Sequence, residues 1–369
     1  MKMKKRISIL MTMLMFAIGL SACGSGTGNT DPAAGSTASG TAGEKKLSIV
    51  TTIFPEYDWV RSILGDRAKD VELTMLLDNG ADLHSYQPTA NDILKLSACD
   101  VFIYVGGESD EWVKDALKEA TNKDMVVIDL LDVMGDKAKT EEVVEGMEHD
   151  HDHEEADHDH EDADHDHEDA EHEEADHDHE DADHDHDHEE ELDEHVWLSL
   201  KNAKLLTGAI TEGLAKADPA NAELYRTNLK AYTEKLDALD QKYKETVDAA
   251  SVKTVLFGDR FPFRYMTDDY GLTYFAAFTG CSAESEASFE TIVFLSNKTE
   301  ELGLPAILTI EGKEHKIAET IRDTTKSRDQ KILTLNSMQS VTSKDVEDGA
   351  SYLSIMESNL EVLKDALNR

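Results

Sequence analysis

Asp218-Pro219-Ala220-Asn221-Ala222-Glu223-Leu224-Tyr225 opens a run that continues to about Ala249 with no glycine or proline after Pro219. Proline suits the first helical position, because its missing N–H would have had no partner there. Some thirty residues at 1.5 Å each give about 45 Å of helix. That is more than one small lobe needs and enough to join two, so we read 218–250 as a linking helix and expect a lobe on either side, 46–217 and 251–369.

Both flanks alternate short apolar runs with helical patterns, the signal for parallel α/β units. Upstream, residues 47–54, 71–77, 100–105 and 125–130 are rich in Val, Ile and Leu and read as strands. Residues 56–64, 89–99 and 111–120 have helical spacing, with Thr89 and Ser109 or Asp110 as caps. Downstream, the strands expected are 254–257, 272–278, 306–310 and 332–335, and the helices 288–302, 316–325 and 348–367. The fold class is therefore α/β, with a parallel sheet in each lobe.

Between the lobe's last expected strand and the long helix lies a segment of a different kind. Residues 148–194 carry thirteen histidines, twenty-eight carboxylates and no lysine or arginine, built on the unit Ala-Asp-His-Asp-His-Glu-Asp. So little apolar surface and so much like charge cannot form a packed core. Imidazole suits Zn²⁺, Cu²⁺ and Ni²⁺, and carboxylates add oxygen ligands, so many ligand sets can close around one ion. We expect a disordered insert over 136–194 that binds metal weakly through His149, His151, His153, His158, His160, His165, His167, His172, His177, His179, His184, His186 and His188. A bare solvated linker is the competing reading, but solvation does not need histidine.

The front of the chain is equally distinct. Lys2, Lys4, Lys5 and Arg6 precede an apolar stretch over 7–20, too short to span a bilayer and laid out as a secretory signal, here 1–22. Leu20-Ser21-Ala22-Cys23 resembles the lipobox of bacterial lipoproteins, which implies cleavage before Cys23 and lipid on that residue. More than one acyl chain is needed for stable anchoring. Residues 23–45, mostly Gly, Ser, Thr and Ala, then form a flexible tether.

Without signal, tether and tract about 280 residues remain, enough for two medium domains with sizeable cores. Of the formal charge of −42, −28 belongs to the tract, whose twenty-eight acids meet no base, so the body is only mildly acidic. With no basic face, nucleic acid is not an expected partner. Cys99 and Cys281 close expected elements in different lobes, and we read both as free buried thiols.

Two loops carry a resemblance. Asn79-Gly80-Ala81-Asp82-Leu83-His84-Ser85-Tyr86-Gln87-Pro88, followed by Asn91-Asp92, resembles the first ligand loop of metal-binding solute-binding lipoproteins that serve zinc or manganese ABC importers. Asp193-Glu194-His195-Val196-Trp197-Leu198-Ser199 is similar to the second, directly after the His-rich insert as in the zinc branch. The resemblance spans nearly all of 47–369. It implies two α/β lobes joined by a long rigid helix, with one ion held in the cleft by His84 and His195. It also implies capture and delivery to an ABC permease and its ATPase by a monomer at the outer face of the bacterial cytoplasmic membrane. The residues agree, since both histidines follow expected strand-end loops, where α/β sheets place ligands.

The chain departs from the family pattern at the other ligands. A third histidine usually precedes an aromatic and a Tyr-Gly-Leu turn; here Phe257-Gly258-Asp259-Arg260-Phe261-Pro262-Phe263-Arg264-Tyr265 leads to Tyr270-Gly271-Leu272, with Arg260 in that register. Arginine cannot ligate a metal. The usual aspartate near the last strand falls around Asn336, in Leu335-Asn336-Ser337-Met338. A tetrahedral site then needs replacements, and the sequence offers Glu286 or Glu284, Asp259, Glu311 and His315. Each has a second reading. Asp259 can pair with an arginine, Arg260 or Arg264 can grip a carboxylate across the cleft, Glu284 or Glu286 can cap a helix near Ser288, and His315 can be a surface residue. Water or tract residues are further candidates.

Two imidazoles and a carboxylate suit Zn²⁺, and the His tract agrees; borrowed carboxylates keep Mn²⁺ as the alternative. A zinc hydrolase would carry a helical pattern such as His-Glu-x-x-His, which is absent, so we expect no enzyme. A surface zinc buffer or adhesin without a transport role is the other alternative.

Overall fold

The computed structural model describes residues 46–147, 191–282, 286–312 and 314–368. The signal, the tether with Cys23, the thirteen tract histidines and Glu284 lie outside the described residues.

The first sheet is made of β1 (Ser48–Thr51), β2 (Glu72–Met75), β3 (Val101–Tyr104) and β4 (Val126–Asp129), parallel and in the order β2-β1-β3-β4. Its connections are α1 (Phe54–Leu64), α2 (Ala90–Ala98) and α3 (Glu111–Lys118), with the short α4 (Leu130–Met134) after β4. Each strand lies inside an apolar run expected from the sequence. Central β3 is fully buried over Val101, Phe102 and Ile103, as parallel strands covered on both faces must be.

Two helices follow the tract: α5 (Leu200–Ala217) and α6 (Ala222–Ala249), the latter entered through a 3₁₀ turn at Pro219–Asn221. The second sheet holds β5 (Thr254–Phe261), β6 (Thr273–Thr279), β7 (Ala306–Thr309) and β8 (Lys331–Thr334), again parallel, in the order β6-β5-β7-β8. Around it lie α7 (Arg264–Tyr270), α8 (Phe289–Glu301), α9 (Lys316–Thr324), α10 (Ser343–Glu347) and α11 (Tyr352–Ala366). The last helix starts at Tyr352, later than expected, because Ser351 closes a capping box with Ser354.

The long helix works as a rod. It buries one stripe, Tyr225, Tyr232, Leu236, Leu239, Tyr243 and Val247, at helical spacing. At its first turns Asn228 Nδ2 donates to Ile63 O of α1, 2.8 Å away. Further along, Tyr243 OH donates to Met356 O of α11 at 2.7 Å and Tyr270 OH to Asp240 Oδ1 at 2.8 Å. One continuous apolar core runs through both sheets and this rod, and a smaller one centred on Leu256, Ile307 and Ile321 lies under α8 and α9.

The ends of the His-rich range are built structure. A 3₁₀ turn spans Gly135–Lys137, Thr140 pairs antiparallel with Leu192, Glu141 N donates to Glu191 O at 2.8 Å, and Asp193 N donates to Lys139 O at 2.7 Å. The expected insert over 136–194 thus begins and ends as a two-stranded clamp.

Candidate metal centre

The first ligand turn follows β2. Asp82 caps it, its Oδ1 accepting from His84 N at 3.1 Å, and Leu83 underneath is buried. The motif residues downstream are scaffold: Asp92 Oδ2 accepts from Tyr86 OH at 3.1 Å and from Thr89 N at 3.0 Å. The second ligand turn leaves the clamp. Asp193 Oδ1 accepts from both His195 N at 2.9 Å and His195 Nδ1 at 3.0 Å, and the His195 side chain is 0% exposed.

These turns bring the two imidazoles together, with 3.2 Å between His84 Nε2 and His195 Nε2. With Asp193 Oδ1 as the acceptor for the Nδ1 hydrogen of His195, that ring's Nε2 is the nitrogen that carries a lone pair. The two nitrogens therefore need either one shared hydrogen or one cation between them. Zn–N bonds of 2.0–2.1 Å at the tetrahedral angle separate two nitrogens by about 3.4 Å, close to what is found. Burial, reinforced by the neighbouring His195 and Arg260 and opposed by Asp82, pulls His84 down to about 3, so this ring is neutral and ready to ligate at ordinary pH.

Behind the rings lies a carboxylate layer. His84 Nδ1 is 2.9 Å from Ser109 Oγ and 3.4 Å from Glu194 Oε2. Glu194 Oε1 accepts from Ser109 N at 2.8 Å, and burial raises the Glu194 carboxyl. Burial also raises Asp110, to about 7, although its Oδ2 accepts from Val105 N and Gly106 N. Partners of this kind fix ring orientation and tautomer for a metal.

Cys281 enters from the other lobe, after β6. Its sulfur and the ring nitrogens of His84 and His195 all lie within 4.8 Å of one another. Neither cysteine is in a disulfide; Cys99 is buried as expected, whereas Cys281 is only partly buried and faces this centre. Cysteine counts as a small apolar residue in a sequence, but a place just past a strand's carboxyl end marks a position where α/β sheets present ligands. Glu141, Asp193 and His195 form a second close group, and sequence reasoning missed Glu141, Ser109, Asp193 and Glu194 as supporting residues.

The structure does not bring the expected replacement ligands to the histidines. Asp259 spends Oδ1 on Arg260 N at 2.9 Å and Oδ2 on Ile310 N at 3.3 Å. Glu311 holds the loop after β8, accepting from Ser337 N at 2.6 Å, Ser337 Oγ at 2.8 Å and Gln339 N at 3.2 Å. Glu286 is exposed, and His315 is half-buried at the start of α9. None of the four belongs to either close group. Asn336 closes its own turn, Oδ1 accepting from Met338 N at 2.7 Å.

Arg260 does grip a carboxylate across the cleft. It lies just past a register shift in β5 between Phe257 and Arg260; its guanidinium pairs with Asp82, while Nη1 donates to Ser282 O at 3.3 Å. Burial alone would raise Asp82, but Arg260 brings it below the usual carboxylate range. Arg264 reaches Glu142 at 3.5 Å.

The Cys281 turn approaches His195 closely because Gly280 precedes it. A Cβ there would stand 3.0 Å from His195 Cε1, 3.0 Å from Phe261 O and 3.1 Å from Glu141 Oε1. Gly280→Ala is therefore expected to cost about 1–3 kcal/mol, the usual penalty of overpacking. Thermal unfolding of the metal-free protein measures it, and an unchanged melting temperature would show that the turn gives way freely.

A family model described as ZnuA, zinc-uptake complex component A, periplasmic, matches residues 49–366. The zinc-binding lipoprotein AdcA of Streptococcus pneumoniae is 30% identical over 328 residues, 88% of this chain and 56% of that protein. The high-affinity zinc uptake system protein ZnuA of Bacillus subtilis is 29% identical over 322 residues, 87% of this chain and 88% of that protein. The chain spans only about half the length of the AdcA relatives, 56%. Among solved structures, Zn(II)-bound AdcA from S. pneumoniae superposes with a TM-score of 0.63 at 26% identity, covering 88% of this chain and 58% of that one.

Proposed function

The chain belongs to the zinc-uptake complex component A family, and from that premise we propose that it captures Zn²⁺ outside the cytoplasm and delivers it to an ABC permease for import. The observation that carries the reading is the pair of Nε2 atoms 3.2 Å apart in a part-buried site, backed by Asp193 on one ring and by Ser109 and Glu194 on the other. His84 and His195 are the cargo ligands. The relatives are named for zinc binding and uptake, which matches capture without turnover.

Location and supply follow from the ends of the molecule. The signal over 1–22 exports the chain, lipid on Cys23 anchors it at the membrane, and the tether lets the body meet its permease; the pneumococcal relative is itself named a lipoprotein. The tract gathers zinc weakly from dilute solution, and its base is clamped by the Thr140–Leu192 bridge directly before Asp193-Glu194-His195. That short path favours passing ions from many weak sites to one strong one.

Deleting residues 148–190 tests this division. Zinc titration with a competing chelator is expected to show one tight ion per chain surviving the deletion, while the weak excess sites disappear. Loss of the tight ion on deletion would move the site into the tract and end the reading.

A further inference from the structure

We propose that Cys281 is the third metal ligand, so that the cleft holds its ion through two imidazole nitrogens and one thiolate. The inference rests on the histidine reading above and adds the donor that decides which metal the site accepts. Among the described residues, Cys281 alone joins both His84 and His195 in one close group. A sulfur bound at 2.3 Å beside a nitrogen at 2.0–2.1 Å would sit about 3.6 Å from it in a tetrahedron, within the 4.8 Å that encloses the three donor atoms.

The surroundings hold the thiol in that position from both sides. Cys281 N donates to Glu141 Oε1 at 3.1 Å, and the next carbonyl, Ser282 O, accepts from Arg260 Nη1 at 3.3 Å. The same guanidinium pairs with Asp82, whose Oδ1 caps the His84 turn. One arginine thus ties the turn bearing the first histidine to the turn bearing the cysteine. Arg260 stands where a ligating histidine would and acts instead as a positioning residue, with the thiol supplying the donor from the next strand. The carboxylates weighed for this role are spent on backbone N–H groups, Asp259 on Arg260 and Ile310 and Glu311 on the loop after β8.

Binding breaks the S–H bond and forms a metal–sulfur bond, and the proton leaves to solvent; no electron changes hands. Thiolate and imidazole together suit Zn²⁺, whereas Mn²⁺ prefers oxygen donors. The site should therefore discriminate against Mn²⁺ through a single side chain.

Cobalt(II) substitution of the full chain tests this, because a thiolate–cobalt bond gives charge-transfer absorption in the near ultraviolet. The tract contains no cysteine, so cobalt bound there is silent in that band. Wild type and Cys99→Ala should show the band at one equivalent, and Cys281→Ser should lose it while staying folded by circular dichroism. In zinc competition, Cys281→Ser should fall by more than the ~10–100-fold that loss of a residue behind a metal ligand costs, and its preference for Zn²⁺ over Mn²⁺ should shrink. Wild type without the band, but with zinc binding still sensitive to His84→Ala, would overturn the cysteine and leave the histidine pair standing. Zinc binding indifferent to both His84→Ala and Cys281→Ser would remove the cleft site altogether.

Discussion

Replacing His195 with alanine is expected to abolish tight zinc binding, with affinity falling well beyond the ~10–100-fold assigned to residues that merely support a ligand. The side chain is fully buried and fixed at Nδ1 by Asp193. Its loss therefore removes a donor already oriented by that hydrogen bond. It also leaves Asp193 with a buried carboxylate facing a void. His84→Ala removes the partner 3.2 Å away and should be nearly as severe, while the two together should cost little more than either alone, since a tetrahedral ion loses its chelate with the first. Competition titration on the protein lacking residues 148–190 reads this cleanly, with the weak sites gone. A tenfold or smaller loss in both single variants would mean the pair is a hydrogen-bonded core feature.

Much of the fold was legible because apolar periodicity survives wherever burial is complete. Seven of the eight strands fall on or within a residue of their expected runs, β5 extending four residues past the end expected at 257, and the long helix begins at its proline turn as the sequence implies. Besides the short helices α4, α7 and α10, one long helix is absent from the sequence expectation. Leu200–Ala217 buries Ala203, Leu206, Ile210 and Leu214 on one face, but Gly208 and Gly213 weaken its helical signal. Gly213 is there for contact, since a Cβ would meet Ile128 Cδ1 of β4 at 2.5 Å. A sequence pattern records propensity, and this glycine records how closely a helix lies on a sheet.

The site was half legible for a related reason. His84 and His195 stand in loops with local motifs. Sequence alone does not single out the replacement for the absent third histidine, because Asp259 follows the expected end of its strand and Glu311 and Cys281 follow the ends of theirs. What separates them is the hydrogen-bond accounting of each side chain: both Asp259 oxygens and both Glu311 oxygens are taken by nearby N–H and O–H groups, while the thiol lies with the imidazoles. Such accounting exists only once the chain is folded.

The same second loop should dominate stability as well as binding. Trp197 is 0% exposed and lies with its ring centroid 5.3 Å from that of His195. Its Nε1 donates to Ser337 O at 2.8 Å, in the loop that Glu311 holds, and its own carbonyl accepts from Tyr352 OH at 2.6 Å. One indole thus packs the ligand turn against the second lobe. Trp197→Ala should cost about 3–5 kcal/mol through the cavity it leaves, and at roughly 2–4 °C per kcal/mol for a large domain the metal-free melting temperature should fall by about 6–20 °C. Trp197→Phe separates packing from hydrogen bonding, because it keeps a ring and orphans only the Ser337 carbonyl, for about 1–3 kcal/mol. If the two variants melt together, the bond to Ser337 outweighs the packing and the lobes are joined here by a single polar contact. If phenylalanine stays within a few degrees of wild type, the ring itself is the joint, and zinc affinity should survive in Trp197→Phe while falling in Trp197→Ala as His195 loses its wall.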